Sequence, residues 1–457
     1  MSAVLSPSLS KTYNPGVLEL LSGMRKGPLD FFMNAWKQYG DLAHIKIRSE
    51  NMFLVVHPDH VRHVTVTNSQ NYDKLDSYDA VRELLLGDGL VSSRGEFWRR
   101  QRKLMAPFFT PRAIEQYLPV MIDDGQSLLT RWAQLAKLGE PIEMGDEMML
   151  VTAAIILHTM FSTESDAEML KLKGAVETMI QFVAGGQLNP VQLPIWLPTP
   201  GNRKYYRSRE LVHTYINALL EQRRLLPEAQ WPDDLLSKLM RARDDQSGEA
   251  MSDALLRDES ITIFFAGHET TARTMSFLFY APATHPEVEE RLYAEISGVL
   301  GNRPPTIADM KQMPYALQVI KETLRLYPAA PFYARDVVAA DSIDGITIPA
   351  GSRMMPFPYA THRHPDFWQN PEHFDPDRWL PEVEATRHSY AFHPFAAGQR
   401  ICLGNNFSLF ESQTLLATLV PHYRARLVAG HVPQIEMAGT ITSKNGMPMI
   451  IEPRTRL

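Results

Sequence analysis

The chain has 457 residues, 46 of them basic and 52 acidic, for a formal net charge of -6. That balance argues against bulk attraction to nucleic acid or to an anionic lipid surface. A single cysteine, Cys402, excludes an internal disulfide framework and any all-thiolate zinc or iron–sulfur site, and it fits a reducing, cytoplasmic setting.

The N-terminus, MSAVLSPSLSKTYNPG, has no basic stretch followed by an apolar run, so no secretory signal is expected. Short β-type runs follow at His44–Ile47 and Met52–Val56, and HPDHVRHV then reads as a turn entering a helix. From about Phe97 to Met240 the apolar spacing is helical. The longest apolar stretch, Met148–Phe161, is short for a bilayer and carries His158, so a buried core helix is expected and no membrane span. A Pro- and Gly-rich break at Leu188–Tyr206 interrupts the helical pattern, with Trp196 apolar enough to cover a pocket. Ser252 to about Ala283 reads as one long helix, and ARDVVA and ITIPAG as short strands and turns. No Gly-rich phosphate loop is present. A mainly α protein with a small β portion (α+β) is expected.

Four stretches carry chemistry. In HPFAAGQRICLG, Phe395, Gly398, Arg400, Cys402 and Gly404 spell F-x-x-G-x-R-x-C-x-G. The glycines allow tight turning and close approach of a flat ligand, Arg400 favours thiolate over thiol, and the following helical run would place Cys402 at a helix N-terminus. Such a thiolate is a metal ligand or a nucleophile; without that context a buried cysteine acting as a small hydrophobe is the commoner case. FFAGHETTA, Phe264–Ala272, sets Gly267, Thr270 and Thr271 inside a helix that they weaken, with Glu269 beside a hydroxyl. In YALQVIKETLRLYP, Glu322 and Arg325 share a helix face, as do Trp98 and Arg102 in GEFWRRQRKL.

Taken together, and in their order along the chain from Trp98 to Gly404, the four stretches resemble the cytochrome P450 family over essentially the whole chain. The resemblance implies the P450 fold, with haem between a long distal helix and a proximal helix, and one haem domain over residues 1–457 without a fused reductase. It implies haem b (iron protoporphyrin IX) ligated by Cys402, with Phe395 packed near the sulfur and Gly404 closing the loop. Arg400, Trp98, Arg102 and Arg335 would meet the propionates. Ala266 and Gly267 would leave room for dioxygen and substrate, and Glu269 and Thr270 would deliver protons. Glu322 and Arg325 would form a structural cluster with Arg378; Asp377 and Trp379 depart from the usual neighbours of that arginine. The implied activity is monooxygenation of a hydrophobic substrate such as a fatty acid, terpenoid or steroid-like molecule, with pocket positions at Trp196, Phe264, Phe265, Ala329, Phe332 and Thr440. Electrons would come from a separate ferredoxin or flavodoxin with its reductase, docking on the basic face around Arg94, Arg99, Arg100 and Lys103. Two other classes stand beside this one. A gas-sensing haem protein would need no proton relay, and a haem-free thiolate protein would be colourless.

Overall fold

The computed structural model describes residues 12–454 apart from 48, 164–165, 189–193 and 302, so part of the proline-rich break lies outside the described residues. The helices that matter here are α1 (Gly95–Met105), α2 (Leu118–Leu138), α3 (Met144–Phe161), α4 (Asp253–Ala283), α5 (Pro314–Leu326) and α6 (Asn405–Leu419). The main sheet is made of β1 (Leu42–Ile47), β2 (Glu50–Val55), β3 (Tyr72–Asp73), β4 (Arg335–Val337) and β5 (Arg353–Pro356). The chain divides into two units. The first is Met1–Ser77, Lys321–Cys402 and Gln434–Asn445; the second is Tyr78–Ile320, Leu403–Pro433 and Gly446–Leu457.

In the first unit the strands run in the order β1-β2-β5-β4-β3. Only β2 and β5 are parallel, with Phe53 opposite Met354. Phe53, Val55, Val61, Val64, Tyr72, Val337, Ile348 and Met354 form the core beneath it. At the sheet edge Asp341 accepts hydrogen bonds from His63 at 2.7 Å and Asn68 at 3.0 Å, and from the Tyr72 hydroxyl.

The last turns of α5 belong to this unit and hold its most buried charges. Glu322 and Arg325 are fully buried and joined by two hydrogen bonds of 2.8 and 2.9 Å. Arg325 donates further to the carbonyls of His362 (2.9 Å), Pro371 (2.6 Å) and His373 (3.0 Å). Glu322 also accepts the Asp375 N–H at 2.9 Å and the Trp379 indole N–H at 3.0 Å, and Arg378 Nε stands 3.3 Å away. Trp379, a departure from the family pattern, therefore joins the cluster through its indole nitrogen. Every polar atom of the pair is occupied, which is what makes burial of two charges tolerable.

In the second unit α3 is apolar on most of its surface beyond the acidic first turn, and 78% of it is buried, although by length and composition it could cross a membrane. Its approach to α4 is close: a Cβ on Gly267 would fall 2.6 Å from Ile156 Cδ1. Thr152 crosses the same seam to the His268 carbonyl at 3.0 Å. The Thr271 hydroxyl donates to Ser408 of α6 at 3.2 Å. Helix α4 starts where expected, with the Ser252 side chain accepting the Leu255 N–H.

Replacing Glu322 by Gln leaves the Arg325 guanidinium buried among neutral acceptors, and breaking a buried pair costs about 3–5 kcal/mol. Glu322→Gln should lower the urea midpoint accordingly or abolish soluble folding; a loss within experimental error would show that the cluster adds nothing to stability.

Candidate active site

The first unit holds the thiol. Two residues in left-handed conformation, Ala396 (φ 60°) and Gly398 (φ 68°), fold the segment before Cys402 back on itself. The Cys402 N–H donates to the Phe395 carbonyl at 2.9 Å. Gly398 is obligatory, because a Cβ there would fall 1.8 Å from the Thr65 carbonyl oxygen. Cys402 is exposed. It precedes Gly404, the N-cap of α6, by two residues, so it lies just ahead of the helix rather than in its first turn. Gly404 itself has φ -86° and open space around it, so its role is not backbone strain.

The loop is held by a chain of hydrogen bonds. His362 Nδ1 meets the Arg325 carbonyl at 3.2 Å, and His362 Nε2 accepts the His393 N–H at 2.9 Å. One nitrogen must donate and the other accept, so His362 is neutral with the proton on Nδ1. Burial, with the charges nearby, pushes its pKa well below the ordinary value, and burial lowers His393 to about 3.

Cations gather near the thiol. Arg400 pairs with Asp73. Arg335, on β4, donates to the Ala334 carbonyl at 2.7 Å and lies over the Tyr333 ring. The third is Lys74, which the motifs do not reveal. Pairing of β3 with β4 sets Asp73 opposite Asp336, and Asp336 grips the next residues by accepting Leu75 N–H at 2.8 Å and the Ser77 hydroxyl at 2.6 Å. Lys74 is caught between them. Its pKa is pushed well below the ordinary value by burial first, then by the Arg335 and Arg400 charges, while Asp73 and Cys402 pull the other way. Ala329, Phe332 and Thr440 also belong to this unit. The Ile441 N–H, next to Thr440, donates to the Ala329 carbonyl at 3.0 Å, and Phe332 stands 6.1 Å from the Phe32 ring.

The second unit holds the acid–hydroxyl pair on α4. Thr270 Oγ1 donates to the Ala266 carbonyl at 2.7 Å, and the Glu269 carboxylate is 3.9 Å from Arg273. Gly267, expected to leave room for dioxygen and substrate, lies against Ile156 of α3, whose Cδ1 a Cβ would meet at 2.6 Å. Phe264 is buried and stacks on His268 at 4.7 Å, whereas Phe265 is half-buried. On α1, Trp98 is buried and Arg102 half-buried on one face. Trp196 is 74% exposed, on a turn that Asn202 fixes by donating to the carbonyls of Ile195 and Leu197. The basic face of α1 is not bare. Arg100 meets Asp244 and Glu249, Lys103 meets Asp245, Arg99 meets Glu96, and Arg94 stands 3.7 Å from Asp79.

Helix α4 also anchors the loop ahead of α1, through residues that no motif singles out. Asp258 accepts the Asp88 N–H and Glu259 the Leu90 N–H, both at 3.0 Å, and Gly89 leaves space for Thr262. Burial raises the Glu259 pKa to about 8, with the Asp258 charge adding and the Leu90 hydrogen bond opposing.

A family model described as Cytochrome P450 matches residues 10–449. The chain belongs to the cytochrome P450 family, and with it to the haem-dependent oxidoreductases of monooxygenase type. It is 32% identical to cyclooctat-9-en-7-ol 5-monooxygenase of Streptomyces melanosporofaciens, over 96% of this chain and 95% of that one. It is also 32% identical to pentalenene oxygenase of Streptomyces avermitilis, over 88% and 87%. The fold matches the cytochrome P450DA heme domain with a TM-score of 0.89 at 24% identity, over 98% and 99% of the two chains. A retinoic acid-bound cyanobacterial P450 matches with a TM-score of 0.87 at 25% identity, over 98% and 100%.

An acid whose folded pKa stands at about 8 against an ordinary 4.5 favours the protonated state. Folded stability is then full below about pH 4.5 and falls as pH rises toward 8. Glu259→Gln should remove this dependence. Thermal melts of the variant and parent should agree near pH 5, with the variant melting higher near pH 8.5; parallel curves at both pH values would show that Glu259 ionises freely.

Proposed function

We propose that Cys402 is the axial ligand of haem b in a monooxygenase that acts on a terpenoid. The observation that carries this is the set of cations beside the only thiol. Lys74, Arg335 and Arg400 lie close together, with Asp73 paired to Arg400, and two haem propionates would add the anionic partners that such a group favours. The donor set fits the group: one exposed thiol for the iron, and a Gly398 turn that keeps the backbone out of the way.

Bound there, the haem supplies the activation of dioxygen and the transfer of one oxygen atom to a C–H or C=C bond, the other leaving as water. This chain's residues hold and supply. Trp98 and Arg102 join the propionate partners. Ala266, with its small side chain, leaves space over the distal face, and Phe395 shields the sulfur. Thr270 passes a proton from its hydroxyl, now committed to the Ala266 carbonyl, and Glu269 restores it. Phe265, Ala329, Phe332, Thr440, Phe264 and Trp196 contribute apolar or bordering surface to the substrate site. A terpenoid suits such surface, and the two Streptomyces relatives are named for oxidising molecules of that class. We infer one haem domain over residues 1–457, a cytoplasmic setting, and a ferredoxin or flavodoxin with its reductase docking at α1.

The reduced, carbon monoxide-treated protein should show the strongly red-shifted Soret band of thiolate-ligated haem. Cys402→Ser should lose that band; if it kept the band, another ligand would hold the iron. Lys74→Met should speed haem transfer to apomyoglobin several-fold with the band position unchanged, roughly what loss of one charge-assisted contact implies. Binding of a sesquiterpene or diterpene should shift the spin state; a panel of them without effect, beside fatty acids that do shift it, would overturn the substrate class.

A further inference from the structure

Helix α1 has two faces. Trp98, Gln101 and Met105 are buried, while Glu96, Arg99 and Lys103 turn outward with Arg100 between. A turn distant in sequence lies against that outward face. Arg243 and Ala250 are bridged, and between them the Asp244 N–H donates to the Glu249 carbonyl at 2.9 Å and the Gly248 N–H to the Asp244 carbonyl at 2.8 Å. The Asp244 carboxylate caps the turn, accepting the Gln246 and Ser247 N–H groups at 3.0 and 2.8 Å, and Gly248 supplies the left-handed residue at φ 71°. The turn is therefore built without the Asp245 side chain, and the Glu249 side chain meets it through the Ser247 hydroxyl at 3.4 Å, while the Glu249 backbone closes it. Yet both reach α1: Asp245 stands 3.1 Å from Lys103 Nζ, and Glu249 3.1 Å from Arg100 Nη2. Their side chains are 74% and 68% exposed, so these ion pairs are weak and exchangeable.

We propose that this acidic turn is an intramolecular competitor for the cations of α1, displaced when an anionic electron-donor protein docks. This rests on the reading that the donor uses α1. The turn presents two exposed carboxylates to the cations that a donor's acidic surface would seek. A donor that replaces them gains little net charge pairing, so it binds weakly and with a shallow salt dependence, and it leaves readily after electron transfer.

The test uses haem-loaded protein and an acidic [2Fe–2S] ferredoxin, with affinity measured by calorimetry at several salt concentrations. Asp245→Asn/Glu249→Gln, which leaves the turn's own cap in place, should tighten binding about 3- to 10-fold at low salt, the range expected for two exposed pairs, and should steepen the salt dependence. Glu140→Gln/Glu221→Gln, an equal change in net charge at two other exposed acids, should leave affinity within about twofold. Arg99→Glu/Lys103→Glu should weaken binding. If the α1 variant weakens binding but the turn variant matches its charge control, the competitor proposal fails while docking at α1 stands. If the α1 variant has no effect, docking at α1 fails and the competitor proposal with it. The carbon monoxide band of every variant, unchanged, separates either failure from loss of the haem site.

Discussion

The fully buried Glu322–Arg325 pair is the constraint from which the thiol's surroundings are built. A carboxylate and a guanidinium with no solvent exposure must have every lone pair and N–H met inside the protein. That need recruits the carbonyls of His362, Pro371 and His373, the Asp375 amide and the Trp379 indole. Residues 362–379 are thereby tied to one helix turn. Beyond it the order is transmitted. The Arg325 carbonyl fixes the His362 tautomer, His362 receives the His393 amide, and two residues later the segment that closes on Cys402 begins. An ion pair buried this way is costly to replace singly and adds little as a net attraction. Its value here is positional, since it leaves the thiol loop few alternative conformations.

Motif reading located most of this because the chemistry needs particular residues at short range. Glycine at a left-handed turn, acid and base at i,i+3, and tryptophan and arginine at i,i+4 are local patterns and survive in sequence. What stayed hidden was set by tertiary pairing. Lys74 lies in YDKLDS, a surface-like string, and acquires its place only because β3 pairs with β4 and Asp336 holds Leu75 and Ser77. Glu259 looks like one acid of a polar helix end until its carboxylate is found capping Leu90, 169 positions earlier in the chain. Gly267 sits in a motif whose functional sense suggested open space, and only the fold shows that Ile156 of α3 packs against it.

The charges of α1 are the clearest instance of a partial reading. Arg99, Arg100 and Lys103 were visible as a basic stripe, and a stripe suggests an anionic partner. The carboxylates that face two of them lie about 140 residues further along, in a turn that composition alone assigns to an ordinary polar loop. A local run of one sign states which charges are present; only the fold states whether they are already matched. Here the matching is uneven. Asp244 is bound into its own turn, while Asp245 and Glu249 are solvated and lightly held.

That unevenness fits the proposed docking of a separate electron donor at α1, which would deliver two electrons singly. The donor must arrive, transfer, leave and return within one turnover, so a surface that bound it tightly would slow the cycle at release. A bare cationic face would favour capture, whereas a face whose cations are lent to exposed acids lowers affinity. The same logic separates the outward face of α1 from its inward one. Trp98 is buried and Arg102 half-buried, on the face of α1 turned away from Arg99 and Lys103. The proposed roles put two requirements that pull in opposite directions, firm retention of a cofactor and loose retention of a partner, on opposite sides of one eleven-residue helix.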